Sequence, residues 1–525
     1  MKNIELAHKV IQELVNAGVD EFCLCAGARN SPFIHLFDQN PHVKAYHFFE
    51  ERSAAFFALG KIAATRKPVA VVTTSGTAAA ELLSAAVEGT YSSLPLILIT
   101  ADRPRFYRKS GAPQSIEQVG LFSYYIEVAY DLDEENTHFS LKSLSWKKPI
   151  HVNVCLKEPL LDGDIPKVVV PEKPSRTKFP EAIPRNIIDD LETFLMENRP
   201  LVLVGTLPVK HQKIVKDFLT HLKVPVYAEG ISNLRGDPEL EPYEIRGGEK
   251  SLNAILDSGS CDSVLRLGGV PTTRVWRDLE DRRKNLKVFS IGYNHYPGLS
   301  REMVHFADLE VLAQLRFDEK HIDLKDIMIK DREIAAKKVE LFKKFPRSEP
   351  GMIYWLSKKM KSQSVYLGNS LPIREWDLAA AMDSQPERVV GNRGANGIDG
   401  QVSTFLGWLS SKTENWCLLG DLTVMYDLSA PWVLPQLTEK NPDLPVRFVV
   451  INNSGGQIFH RMFKKDIFVN RHNISFESWA AMWNMSYQQW HEIPEKMQLK
   501  SQCVIELRPD AQQTELFWQA YDSHA

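Results

Sequence analysis

Cysteine is scarce in this sequence: its 525 residues hold six, at Cys23, Cys25, Cys155, Cys261, Cys417 and Cys503. They lie scattered in apolar runs, with neither the CxxC pairing of a zinc site nor the density of a disulfide scaffold, and read as buried, reduced thiols. No run is long and apolar enough for a membrane span, and the amino-terminal stretch MKNIELAHKVIQELVNAGVD carries charges throughout its helical period. Neither sign of charge prevails, since 63 basic and 66 acidic residues leave a formal net charge of -3. That balance offers no footprint for nucleic acid or a membrane surface. Low-complexity segments and short repeats are lacking, and LVLVGTLPV, the nearest approach to a nucleotide turn, has neither GxGxxG spacing nor a following acidic partner. These absences leave small-molecule chemistry in a cytoplasmic protein, without nucleic-acid or membrane partners.

What is present is apolar mass, 44% of the chain, enough for several cores and two to four domains. EFCLCAG, KAYHFFEE, VAVVTTSG, LPLILITAD and PIHVNVCL alternate with helical stretches and end in polar or glycine-rich turns, which implies a parallel sheet with helices on both faces. PLVLVG, VPVYAEG, SVLRLGG and LKVFSIG repeat the pattern, as do SVYLGNS, ERVVGNRG, NWCLLGD, VRFVVINN and QCVIELR. The segment Asp162 to Asn186 holds five prolines and reads as an extended connector. Pro346 and Pro350 follow the charged helical stretch KDIMIKDREIAAKKVELFKK. The expected class is therefore α/β, with three doubly wound, mainly parallel domains at 1–175, 176–345 and 346–525.

Ligands of open parallel sheets bind outside the carboxyl ends of the strands. The residues to weigh are Arg29, Glu51, Ser75, Arg103, Arg274, Ser370, Arg393, Asp421 and Asn453. Asp421, Asn453 and a carbonyl near Gly455 would give three hard oxygen donors from two strand ends, a set suited to magnesium clamping a diphosphate. Gly420, Gly455 and Gly456 would let the backbone approach the ligand. Each half alone also fits an ordinary turn, with Asp and Asn capping helices. Together, in order and separated by a helix-sized connection, they favour the ligand reading.

Gly420-Asp421 and Asn452-Asn453, with 29 residues between Leu422 and Asn452, resemble the GDG…NN motif of thiamine diphosphate enzymes. Leu422 replaces the usual third glycine, a departure that fits one branch of the superfamily. The resemblance implies metal ligation by Asp421, Asn453 and the Gly455 carbonyl, with magnesium as the ion and manganese as an alternative. HFFEERSAAFFALGKIAA followed by VAVVTTSGTAAAELLSA resembles the pyrimidine-binding domain, whose catalytic glutamate falls at Glu51. A carboxyl group on the far nitrogen of the aminopyrimidine provides general acid-base catalysis through the cofactor. By position alone Glu51 reads more readily as a helix-start carboxylate, and Glu50 is its competing neighbour. His47, just before them, reads as a packed residue. The superfamily resemblance implies a cofactor held between two domains of different subunits, hence a homodimer at least, with a tetramer left open.

Arginines at strand ends, Arg29, Arg103, Arg374 and Arg393, can bind carboxylates bidentately, although any single one alone reads better as a weak surface ion pair. With CAGARNSP, TADRP, GAPQSIEQ, GNSLPIREWD, NRGANGIDG and GDLTVMYDL…NNSGGQIF, they are similar to the 2-succinyl-5-enolpyruvyl-6-hydroxy-3-cyclohexene-1-carboxylate synthase family of menaquinone biosynthesis. The resemblance spans the first and third blocks and is weaker in the second. It implies decarboxylation of 2-oxoglutarate on thiamine diphosphate and conjugate addition of the succinyl carbanion to isochorismate. Carried over, Ser370, Arg374 and Arg393 face the 2-oxoglutarate part, while Arg29, Arg103, Gln114 and Arg274 lie toward isochorismate. Ser75, Ile398, Gln457 and Ile458 contact the cofactor, Ile398 as an apolar wedge, and Phe459 lines the cavity. Thr273 stands where the family tends to have the first of a basic pair, a departure bearing on acceptor binding. The rival readings are another thiamine diphosphate enzyme acting on pyruvate, and a catalytically silent paralogue.

Overall fold

Apolar runs bounded by glycine or polar turns form the strands in the computed structural model, which describes residues 1–523 apart from 175–184, 295, 302–304, 307–308, 318 and 320–321. The first sheet contains β1 (Glu21–Cys25), β2 (Lys44–Phe48), β3 (Val69–Thr73), β4 (Leu96–Asp102), β5 (Ala129–Leu132) and β6 (Ile150–Cys155), in the order β2-β1-β3-β4-β6-β5. The second contains β7 (Pro200–Val204), β8 (Val226–Ala228), β9 (Ser263–Leu267), β10 (Lys287–Gly292) and β11 (His305–Phe306), ordered β11-β10-β9-β7-β8. The third holds β12 (Ser364–Leu367), β13 (Arg388–Val390), β14 (Asn415–Gly420), β15 (Val446–Ile451), β16 (Ser486–Trp490) and β17 (Gln502–Leu507), ordered β13-β12-β14-β15-β17-β16.

Neighbouring strands in all three sheets pair in parallel. Parallel strands need crossovers, whose helices cover both faces. Central strands are accordingly covered on both sides: β3, β7, β9 and β15 are buried at every position. Around β7 the side chains divide by parity, with Leu201 and Leu203 in one core, Val202 and Val204 in another. This is the α/β, doubly wound class that the alternation of runs implies.

By contact the chain groups into two units: Met1–Pro180 with Gly394–Leu409 and Thr423–Leu444, and Glu181–Arg393 with Ser410–Leu422 and Pro445–Ala525. The first expected boundary, at 175 and 176, lies outside the described residues. The second, at 345 and 346, follows the helix Lys325–Lys344.

In the first unit the helix after β2, Glu51–Thr65, packs on the helix Gln401–Trp408 through glycine. A Cβ at Gly60 would collide with the Thr404 carbonyl, and one at Gly407 with the Phe57 carbonyl. Residues of this size let two helix backbones meet directly.

Candidate active site

In the second unit, β14 and β15 pair with Gly420 opposite Ile451, so Asp421 and the Asn452-Asn453 pair leave the sheet side by side. Asp421 is buried, and its Oδ2 accepts from Gly455 N at 2.9 Å while Oδ1 accepts from Leu422 N at 2.7 Å. Burial raises its carboxyl above the ordinary range; the two backbone donors and the His472 ring pull it back. His472 Nδ1 accepts from Ile474 N at 3.2 Å, which leaves the hydrogen on Nε2, 3.1 Å from Asp421 Oδ2.

The two asparagines do different work. Asn452 ties the loop down, donating to Glu506 Oε1 and Ile474 O at 2.8 Å and accepting from Ser454 N at 3.2 Å. Asn453 donates through Nδ2 to both oxygens of Glu349, at 3.1 and 3.0 Å. Its Oδ1 is buried and has no hydrogen-bond partner, an omission that costs about 1–3 kcal/mol unless a ligand takes that oxygen.

Gly455 has φ 131, and a Cβ there would collide with the Val469 carbonyl. Its own carbonyl accepts from Gln457 N at 2.9 Å, which leaves a second lone pair. Carboxylate, amide oxygen and carbonyl thus form a set of hard oxygens suited to magnesium or manganese. Among the described residues no three His, Cys, Asp or Glu side chains gather as a metal site, and this set contains one carboxylate only. Gln457 and Ile458 open the helix Gln457–Phe463; Gln457 Nε2 donates to Asn453 O at 3.1 Å, and Phe459 is exposed.

At the neighbouring ends of β12 and β13, Ser370, Arg374 and Arg393 come together. Ser370, at φ 72, precedes the helix Leu371–Ala379, and its carbonyl accepts from Arg374 at 2.5 Å. Arg393 donates to Asn369 Oδ1 at 2.8 Å. Arg274 follows β9 as an exposed residue 3.5 Å from Asp278. Thr273 caps the helix Arg274–Asp281, its Oγ1 accepting from Val275 N at 3.4 Å and donating to Glu249 at 3.0 Å. The position where the family tends to carry a base is therefore used for a cap.

In the first unit, Arg29, Glu51, Ser75 and Arg103 all follow strands of one sheet. Glu50 is the helix cap: its two oxygens accept from Arg52 N and Ser53 N, each at 3.0 Å. Glu51 is half-buried in the first helical position, and burial raises its carboxyl above the usual range, with Glu50 and Glu81 adding to the effect. Ser75 is buried; a Cβ on the following Gly76 would sit 3.1 Å from the Gln114 backbone, so the Gln114 loop borders that strand end. Arg29 donates to Leu156 O at 3.0 Å and pairs with Glu158 at 3.2 Å; Arg103 lies over the Tyr107 ring at 5.1 Å.

Ile398 follows a loop that Glu88 fixes, its oxygens accepting from Gly394 N at 2.8 Å and Ala395 N at 2.7 Å. His47 corrects an expectation. It is exposed on β2, where the burial alternates, and its backbone is what bonds, to Gln436 and Trp432. Glu88, Glu349 and His472 were not legible as site residues, because none follows an apolar strand. Glu349 alone leaves a trace, an acid beside the apolar helix start PGMIYWL.

Comparison with known proteins gives this geometry its context. Residues 4–121 match the thiamine pyrophosphate enzyme, N-terminal TPP binding domain family. The 2-succinyl-5-enolpyruvyl-6-hydroxy-3-cyclohexene-1-carboxylate synthase of Bdellovibrio bacteriovorus is 60% identical over 525 residues, covering 99% of each chain. The synthase of the same name from Akkermansia muciniphila is 36% identical over 520 residues, 95% of each chain, and that of Lysinibacillus sphaericus is 28% identical over 533, 93% of this chain and 90% of the relative. Likeness of this extent, over strand ends that carry the oxygen set and two arginines, places the chain in the 2-succinyl-5-enolpyruvyl-6-hydroxy-3-cyclohexene-1-carboxylate synthase family of thiamine diphosphate enzymes.

Proposed function

We propose that this protein is a transferase of menaquinone biosynthesis, which decarboxylates 2-oxoglutarate and adds the succinyl unit to isochorismate to give 2-succinyl-5-enolpyruvyl-6-hydroxy-3-cyclohexene-1-carboxylate. The observation that carries this is the end-to-end likeness to synthases of that name. Thiamine diphosphate, when bound, would supply a nucleophilic thiazolium carbon and an electron sink for the pair left on the former carbonyl carbon of 2-oxoglutarate as carbon dioxide leaves.

The protein's own groups do the rest. Asp421, Asn453 and the Gly455 carbonyl hold magnesium, or manganese in its place, against the diphosphate; the unsatisfied Asn453 Oδ1 supports this. Ser75, Ile398, Gln457 and Ile458 line the cofactor. Glu51 holds a proton at the aminopyrimidine ring nitrogen, a role that its raised carboxyl favours. Ser370, Arg374 and Arg393 bind the carboxylate end of 2-oxoglutarate. Arg29, Arg103, Gln114 and Arg274 orient isochorismate, and Phe459 closes the cavity.

In this reading residues 1–175 form the pyrimidine-binding domain, 176–345 a central domain and 346–525 the diphosphate-binding domain. The protein works in the cytoplasm as a homodimer, or a tetramer of two such pairs, with each active site at a subunit interface. Among the described residues no helix is long and apolar enough to cross a membrane. The clustered Arg374 and Arg393 favour a dicarboxylate over pyruvate, which would want a small apolar pocket. Carbon dioxide release measured with each acid tests this: 2-oxoglutarate should be preferred, and preference for pyruvate would overturn the substrate.

A further inference from the structure

Asn453 offers two chemically opposite ends, an oxygen that a cation attracts and an NH2 group that it repels. The side chain is symmetrical enough in shape for either end to fill the same space, so something beyond packing must choose between them. Glu349 makes the choice. It is 3% exposed, and it is the NH2 group of Asn453 that faces its carboxyl oxygens. Both of its oxygens take up the amide, at 3.1 and 3.0 Å.

The carboxylate is itself held. Glu349 opens the helix Glu349–Ser357, behind a Ser348 cap whose Oγ accepts from Gly351 N at 3.1 Å, and its backbone N donates to Thr514 Oγ1 at 3.0 Å. Glu375, also 3% exposed, lies against it from the helix Leu371–Ala379. Burial, then the Glu349 charge, pushes the Glu375 carboxyl well above its ordinary range.

We infer that Glu349 is a positioning residue for the metal: by holding the Asn453 NH2 group it turns Asn453 Oδ1 outward as a ligand. The inference rests on the reading of Asp421, Asn453 and Gly455 as the metal set. In a purely structural role Glu349 would only anchor the loop, and its loss would lower stability without selectively weakening the metal.

The test is calorimetric titration of magnesium into the full-length protein with thiamine diphosphate, for the parent, Glu349→Leu, Glu349→Gln and Asp421→Ala, with melting temperatures recorded alongside. Leucine keeps the volume but accepts nothing, and should weaken magnesium binding by about tenfold or more, whereas glutamine, which still accepts through Oε1, should stay within about threefold of the parent. Extra magnesium should restore cofactor binding in Glu349→Leu. Parental magnesium affinity in Glu349→Leu overturns the inference, as does a glutamine variant that falls as far as leucine. Should Glu349→Leu not be recovered folded, Glu349→Met is read in its place, and the near-isosteric glutamine variant still decides by its own affinity. If Asp421→Ala binds magnesium like the parent, the metal reading itself fails; if it loses binding while Glu349→Leu keeps it, only the role of Glu349 fails.

Discussion

Glu50 and Glu51 follow the same strand, yet Glu50 commits both oxygens to the helix behind it, at 3.0 Å from Arg52 N and Ser53 N. Glu50→Ala should therefore lower stability by about 0.5–2 kcal/mol, the usual loss for a cap. Glu51→Gln should melt like the parent and keep thiamine diphosphate, yet slow proton exchange at the thiazolium carbon by orders of magnitude, followed by deuterium uptake. Exchange at the parental rate, with Glu50→Gln slow instead, would move the role back one residue. Arg374 and Arg393 come from neighbouring strand ends, and each lost charge-assisted contact should cost about 2 to 4 kcal/mol in the transition state, a roughly 30-fold to 1000-fold drop in kcat/KM for 2-oxoglutarate. Full turnover in both alanine variants would remove them from the pocket. The strand-end positions of these residues could be read from sequence because the apolar runs mark where parallel strands end. Glu88 and Glu349 could not, because their value lies in which backbone or amide they meet across the fold.

Elements were legible in proportion to their burial. The central strands β1, β3, β4, β7, β9, β14, β15 and β17 are almost wholly buried and mostly apolar, and each was expected. β5, β11 and β16 were not, and all three are edge strands; β5 and β16 carry AYDL and SYQQW, largely half-buried or exposed. An edge strand need not be apolar on both faces, so it leaves no unbroken hydrophobic signal. The same edge effect accounts for the misreading of His47, which β2 turns outward.

Helix packing was equally hidden, since a glycine inside a helical run does not announce what touches it. Gly407 meets the Phe57 carbonyl with no room for a methyl group. Gly407→Ala should thus destabilise by about 1–3 kcal/mol, the range of overpacked interiors, read as a lower urea midpoint. An unchanged midpoint would show that the two helices can part without cost.

Across the described residues, several carboxyls are buried deeply enough to be raised above their ordinary range. Glu229 is 1% exposed, accepts from Thr272 N and Thr273 N, and is raised to about 8 by burial, with Asp377 adding to it. A carboxyl raised in the folded state holds its proton there after the unfolded chain has released it, so its contribution to stability is complete below the ordinary carboxyl range and is lost as pH rises toward about 8. The protein should therefore melt at a lower temperature at pH 8 than at pH 6, and Glu229→Gln should flatten that slope; equal slopes would contradict the assignment. The linear order of three strand-and-helix blocks was also visible in the sequence. The grouping of Gly394–Leu409 and Thr423–Leu444 with the amino-terminal sheet was not, because it depends on contacts such as Gly60 against Thr404 that no local pattern encodes.

The most direct measurement mixes the purified protein with 2-oxoglutarate, isochorismate, thiamine diphosphate and magnesium and follows the products by mass spectrometry. Carbon dioxide and 2-succinyl-5-enolpyruvyl-6-hydroxy-3-cyclohexene-1-carboxylate should appear together, and neither should form when thiamine diphosphate is left out. Isochorismate left unconsumed while 2-oxoglutarate is decarboxylated, or product formed equally well without the cofactor, would contradict the proposed reaction.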